Sequence, residues 1–206
     1  MGAWAELIGP HTADADAVAT GERLLASWSQ SHRRYHRVAH LRDVLAAVDE
    51  LATCADDIDA VRLAGWYHDS VYDGRPDDEE RSARRAETEL SRLGVRAGLV
   101  DEVARLVRLT VTHDPAAGDH NGEVLSDADL SALAVGPEAY RRNTAAIRSE
   151  YAHIDDAVFA KGRLQVLAAL LEAPAVFRTE VGRRRWEAPA RQNMLAEMAD
   201  LERGRS

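Results

Sequence analysis

The stretch Val61-Arg62-Leu63-Ala64-Gly65-Trp66-Tyr67-His68-Asp69 decides how this chain is read. A strongly apolar run closes on an imidazole and a carboxylate side by side. A ring nitrogen and a carboxylate oxygen at one helix end offer a divalent metal two ligands of different character. Burying them there is costly unless they are partnered or metal-bound. A His-Asp dipeptide also occurs by chance, with the acid paired to an arginine. Company raises its weight here: His36 and His40 lie upstream, Asp127 and Asp129 downstream.

Outward from that stretch, the pattern is helical. Val38, Leu41, Val44, Leu45, Val48 and Leu51 recur at helical spacing, and a shorter helix covers about 57–69. Asp77, Asp78, Glu79 and Glu80 suit a helix N-terminus, and Gly94 after Leu93 suits its end. Val100, Val103, Leu106, Val107 and Val111 mark another helix, and Pro115, Gly118 and Gly122 make 114–122 a loop. A short helix follows near 127–134. Further ones start near Pro137, cover about 155–172, and run from about Pro189 to Leu201, each proline suiting a first helical turn. No alternating strand, internal repeat or linker stands out. The expectation is one all-α domain, a motif-bearing core over about 34–135 followed by C-terminal helices over about 137–204.

The chain has 206 residues, 46% hydrophobic and 30% charged, enough for one sizeable core with an ordinary soluble balance. A net charge of −9 argues against a nucleic-acid polymer as partner. It leaves local arginines free to hold one small anionic substrate. Cys54 is the sole cysteine, so no intrachain disulfide forms and a cytoplasmic location is expected. Met1 to Glu6 shows no basic region leading into an apolar run, and Glu6 stands where a myristoylation motif wants Ser or Thr. No apolar run approaches the roughly 18 residues that span a bilayer, so no membrane partner is expected. A homo-oligomer is compatible with all of this.

His36 and His40 are four apart and share a helix face. His40 lies beside Leu41 and Val44, near the buried side, which makes it the better ligand; His36 is placed to face a substrate. Asp73 follows Asp69 by four residues; if helical geometry persists, it faces the same cavity as a general base. Asp127 and Asp129 are two apart and cannot share a face, so one reaches the metal. Asp127 precedes an apolar run as an N-cap would, which leaves Asp129 for the metal. His113 ends an apolar helix, where a lone His is commonly structural. His120 lies in a polar loop and reads as solvated.

The order His, His-Asp, Asp on successive helices resembles the HD-domain metal-dependent phosphohydrolase superfamily. It is most similar to a bacterial branch of predicted HD phosphohydrolases. The resemblance runs through Tyr35-His36 and His40, Tyr67-His68-Asp69 with Val71-Tyr72-Asp73, and Glu79-Glu80-Arg81-Ser82-Ala83. It continues through Thr112-His113, Asp127-Ala128-Asp129-Leu130, Ile147 to Tyr151, Gly162-Arg163 and Ala190 to Asn193, covering about 34–202. It implies a single HD-domain helical bundle with His40, His68, Asp69 and Asp129 as metal ligands. It gives the position of His36 the protonation of a leaving group, and leaves His113 as a second-metal or substrate-contacting residue. The further His that two-metal members carry after the pair is replaced here by Ser70, Val71 and Tyr72, which points to one metal.

The expected activity is hydrolysis of a phosphate ester, including nucleotides, by a water on a divalent ion: Mn, Mg, Zn, Fe, Co or Ni. Asp73 would prepare that water, with His36 or His113 at the leaving group or phosphate. Arg37, Arg81, Arg148, Arg163 and Arg191 would be available to clamp phosphate oxygens. The rival expectations are a metal-containing nucleotide-binding or regulatory module without turnover and, further off, redox chemistry at an iron centre.

Overall fold

The computed structural model describes residues 2–204. It contains ten α-helices, two 3-10 turns and, among the described residues, no strand. The helices are α1 (Gly2–Ile8), α2 (Asp16–Trp28), α3 (Val38–Glu50), α4 (Ile58–Tyr67), α5 (Asp78–Arg92), α6 (Ala97–Leu109), α7 (His120–Leu130), α8 (Pro137–Glu150), α9 (Asp156–Glu172) and α10 (Glu180–Glu202). The all-helical reading of the periodicity therefore holds. No described helix is long and apolar enough to cross a membrane.

α4 is the hub. Asp57 caps it by accepting from the Ala60 N–H at 3.0 Å, and Ala60, Val61 and every residue from Leu63 to Tyr67 is buried. A helix apolar on all sides must be enclosed, and α3, α5, α6 and α7 pack around this one. α5 begins with Asp78, Glu79 and Glu80 in its first turn, complementing the helix dipole. Gly94 follows it at φ 73°, the left-handed conformation that closes such a helix.

α1 and α2, over a region with no assigned element in the sequence reading, seal one side of the core. Trp4 Nε1 donates to the Ala17 carbonyl at 2.7 Å, and Trp28 Nε1 to that of Trp66 at 3.0 Å. Gly21 is required there, because any Cβ would collide with the Trp4 ring.

Three boundaries differ from the sequence reading. The 114–122 loop ends early: Asp119 accepts from the Gly122 N–H at 3.0 Å and starts α7 at His120. The short helix expected near 127–134 is thus the second half of α7 plus a 3-10 turn, Ser131–Ala134. α10 starts at Glu180 rather than Pro189, because Thr179 caps it by accepting from the Gly182 N–H at 2.9 Å. Pro189 lies inside the helix.

Candidate metal centre

Three helices and the turn after one of them bring the four candidate ligands together. His40 sits in the first turn of α3, where Leu41, Val44 and Val48 face the core and draw it inward; it is 5% exposed. His68 extends α4 by one residue, its N–H donating to the Ala64 carbonyl at 2.8 Å. Its Nδ1 lies 2.9 Å from the Gly65 carbonyl oxygen. A carbonyl only accepts, so Nδ1 carries the hydrogen and the neutral ring presents a bare Nε2. Asp69 lies in the turn just beyond, and Asp129 in the last turn of α7.

Their atoms converge. His40 Nε2 is 3.4 Å from His68 Nε2, 3.1 Å from Asp129 Oδ1 and 3.8 Å from Asp69 Oδ2. His68 Nε2 is 3.3 Å from Asp69 Oδ2 and 3.7 Å from Asp129 Oδ1. His40, His68 and Asp69 each offer one ligand atom, all within 4.8 Å of one another, and could hold a metal ion.

The electrostatics fit a cation. Among the described residues, neither Asp69 nor Asp129 has an arginine or lysine partner; histidines alone face them. Burial opposes the charge on His68, yet Asp69 and Asp129 outweigh it and raise the ring to about 9. Burial likewise opposes charge on the two carboxyls, and the adjoining imidazoles, His68 foremost, overcome it and hold both well below the usual carboxylate range. Two half-buried carboxylates partnered by histidines alone form a site that a divalent ion would compensate, displacing protons as it binds.

No protein-family model, curated protein or solved structure matches this chain.

A cavity of about 540 Å³ opens onto the cluster, lined by Asp69 and Asp129 and by two further histidines. His36 Nδ1 is 2.7 Å from Glu150 Oε2, and its ring stacks on Tyr72 at 4.1 Å. Glu150 also accepts backbone N–H bonds from Arg34, Tyr35 and His36 at 2.6, 2.8 and 3.0 Å. Burial raises the Glu150 carboxyl, but the His36 hydrogen bond and charge and those N–H donors prevail and hold it at about 2. His113 reaches the cluster too, Nε2 to Asp129 Oδ2 at 3.4 Å. It is the one non-glycine residue with positive φ (50°) among those described, a conformation that turns the chain after α6 and aims the ring inward. Its Nδ1 is buried without a hydrogen-bond partner, and burial lowers its pKa.

Asp73 is not part of this cavity. Helical geometry stops at Tyr67, so the four-residue spacing from Asp69 no longer sets a shared face. Asp73 instead pairs with Arg81 at 2.8 Å and borders a separate surface depression with His32 and His153. The carboxylate that does line the cavity is Glu79, in the first turn of α5, where burial raises its pKa. In the sequence it reads as one of several acids opening a helix.

Of the arginines expected to clamp phosphate, only Arg163 lines the main cavity. Arg81 is held by Asp73 and Asp78. Arg148 pairs with Asp156 and donates to the Tyr151 and Ile154 carbonyls. Arg191 is held by Glu187 and two carbonyls. Arg37 opens onto a different depression, on the His40 side of the cluster. Arg163 lines the main cavity but is engaged by Glu197 at 2.8 and 3.1 Å.

An arginine not anticipated from sequence has a positioning role. Arg33 is buried and donates to the Asp69, His36 and Ser70 carbonyls at 2.7, 3.1 and 3.4 Å. It ties the His36 loop to the His68-Asp69 turn. Asp127 is fully buried in mid-α7 and caps a distant helix instead of its own. It accepts from the Arg178 and Thr179 N–H groups at 2.7 and 2.8 Å and from the Thr179 hydroxyl at 2.7 Å. Gly182 is obligatory beside it, because a Cβ would strike the Asp127 carboxylate.

Proposed function

We propose that this chain is a metal-dependent phosphohydrolase of the HD superfamily, cleaving a phosphate ester, nucleotides included. The observation that carries the reading is the convergence of His40, His68, Asp69 and Asp129, without an arginine or lysine partner among the described residues, at an open cavity. A bound divalent ion would supply Lewis-acid polarisation of a phosphoryl oxygen and a water of lowered pKa.

The chain's own groups complete the chemistry. Glu79, rather than Asp73, is the carboxylate available to take the proton from the attacking water. Glu150 fixes His36 through Nδ1, leaving its other ring nitrogen to serve the leaving oxygen. His113, 3.4 Å from Asp129, would contact the phosphoryl group. Arg33 holds the His36 loop and the His68-Asp69 turn together, a supporting role toward the metal ligands, while the Asp127 cap docks α10 on α7.

The test is turnover of a panel of phosphate esters, nucleotides among them, by chain reconstituted in turn with Mn, Mg, Zn, Fe, Co and Ni. The expected result is metal-dependent release of phosphate that Asp69→Ala abolishes together with bound metal. Full activity of the metal-free chain, or no turnover of any ester under any metal, would contradict the proposal.

A further inference from the structure

The cavity has two unlike halves. Asp69, Glu79 and Asp129 form its acidic floor. α9 contributes another part of the lining, with Val158, Phe159 and Val166 on the cavity beside Arg163, and Ile154 just before its start. Positions 158, 162 and 166 recur every four residues, so one side of α9 looks at the cavity along much of its length. A helix this apolar is normally enclosed. Here Leu167 is its sole buried residue, while Val158 and Val166 are 62% and 52% exposed. On the same face, Gly162 has nothing within 4 Å of where a Cβ would sit.

Among the described residues, the lining also lacks an arginine or lysine free of an ion pair. Arg163 is the only arginine or lysine on it, and Glu197 engages that guanidinium through both carboxylate oxygens. With His36 and His113 engaged at the first phosphate, a second would meet Glu79, neutral hydroxyls or the apolar face of α9, and no unpaired arginine or lysine among the described lining residues to compensate its charge.

We propose that the substrate is a phosphate monoester whose esterified portion is apolar and rests on Val158, Phe159 and Val166, and that ligands with a further phosphate are disfavoured. This rests on reading the cluster as the phosphate-binding end of the cavity; α9 then decides which ester enters. Burying a phenyl group against this wall should raise affinity about ten- to a hundredfold.

The experiment is calorimetric titration of the Mn-loaded chain with methylphosphonate, phenylphosphonate and benzene-1,4-diphosphonate, none of which can be turned over. Phenylphosphonate is expected to bind at least about tenfold more tightly than methylphosphonate, and the diphosphonate more weakly than phenylphosphonate. Val158→Ser or Val166→Ser, uncharged changes at exposed positions, should narrow the phenyl-over-methyl affinity ratio. Equal affinity for the methyl and phenyl compounds, a preference untouched by both variants, or no binding of either compound would overturn the proposal. Phenyl-selective binding in a chain that hydrolyses no phosphate ester would leave the α9 assignment standing and remove the hydrolytic one.

Discussion

The floor and the wall of the cavity are built in opposite ways. The floor comes from α3, α4 and α7, whose ligand histidines are buried and whose turns are tied by Arg33 to three carbonyls. The wall is α9, with one buried residue and an apolar face open to the cavity. Metal chemistry needs ligand atoms fixed to a fraction of an ångström, which only a packed, hydrogen-bonded scaffold supplies. Choosing among esters needs only a surface of suitable shape and polarity. Changes to the floor should therefore abolish function, and changes to the wall should redirect it.

The largest effect is expected at the floor. His68→Ala should lose the metal and reduce turnover on the order of a thousandfold or more, read by metal content and kcat. Next is the cap that holds α10 to α7. Asp127→Ala strands the Arg178 and Thr179 N–H groups and should cost about 3 kcal/mol, read by thermal or urea unfolding. Metal affinity should change far less. If it falls as steeply as stability, floor and scaffold are not separable.

The two acids that follow the His-Asp pair then divide. Glu79→Gln should lower kcat about a hundredfold, whereas Asp73→Asn, which breaks only a half-exposed pair with Arg81, should stay within about twofold. The reverse ranking would restore Asp73 and remove Glu79 from the mechanism.

These two acids show where the sequence stops being legible. His40, His68 and Asp69 could be read because helix face and helix end are local properties. That at most one of Asp127 and Asp129 faces the cluster could be read because residues two apart on a helix diverge; the choice of Asp129 leaned on an N-cap for its own helix that Asp127 does not make. The role of Asp127 could not, since its partners lie 51 and 52 residues further on. Asp73 misleads because the spacing argument assumes a helix that ends at Tyr67, and Glu79 hides among acids that the dipole alone explains. Pro189 resembles a helix start, while the true start, Thr179, is set by contacts from α7. Which arginines are already ion-paired is likewise a tertiary fact, illegible in the sequence.

A further effect is one of pH. The Glu150 carboxyl is held at about 2 against an ordinary 4.5, so its contribution to stability is complete above pH 4.5 and is lost as pH falls toward 2. Unfolding curves across that window should steepen for the wild type and flatten for Glu150→Gln. The smallest effect belongs to the wall: Val166→Ser, at a half-exposed position, should change stability by no more than about 0.5 kcal/mol.

The central claim is that one divalent ion is held by four residues from three helices. A crystal structure of the Mn-loaded chain, with an anomalous difference map, tests it most directly. The account predicts a single strong peak within about 2.0–2.6 Å of His40 Nε2, His68 Nε2 and a carboxylate oxygen of each of Asp69 and Asp129. A peak elsewhere, or none at millimolar Mn, would contradict it.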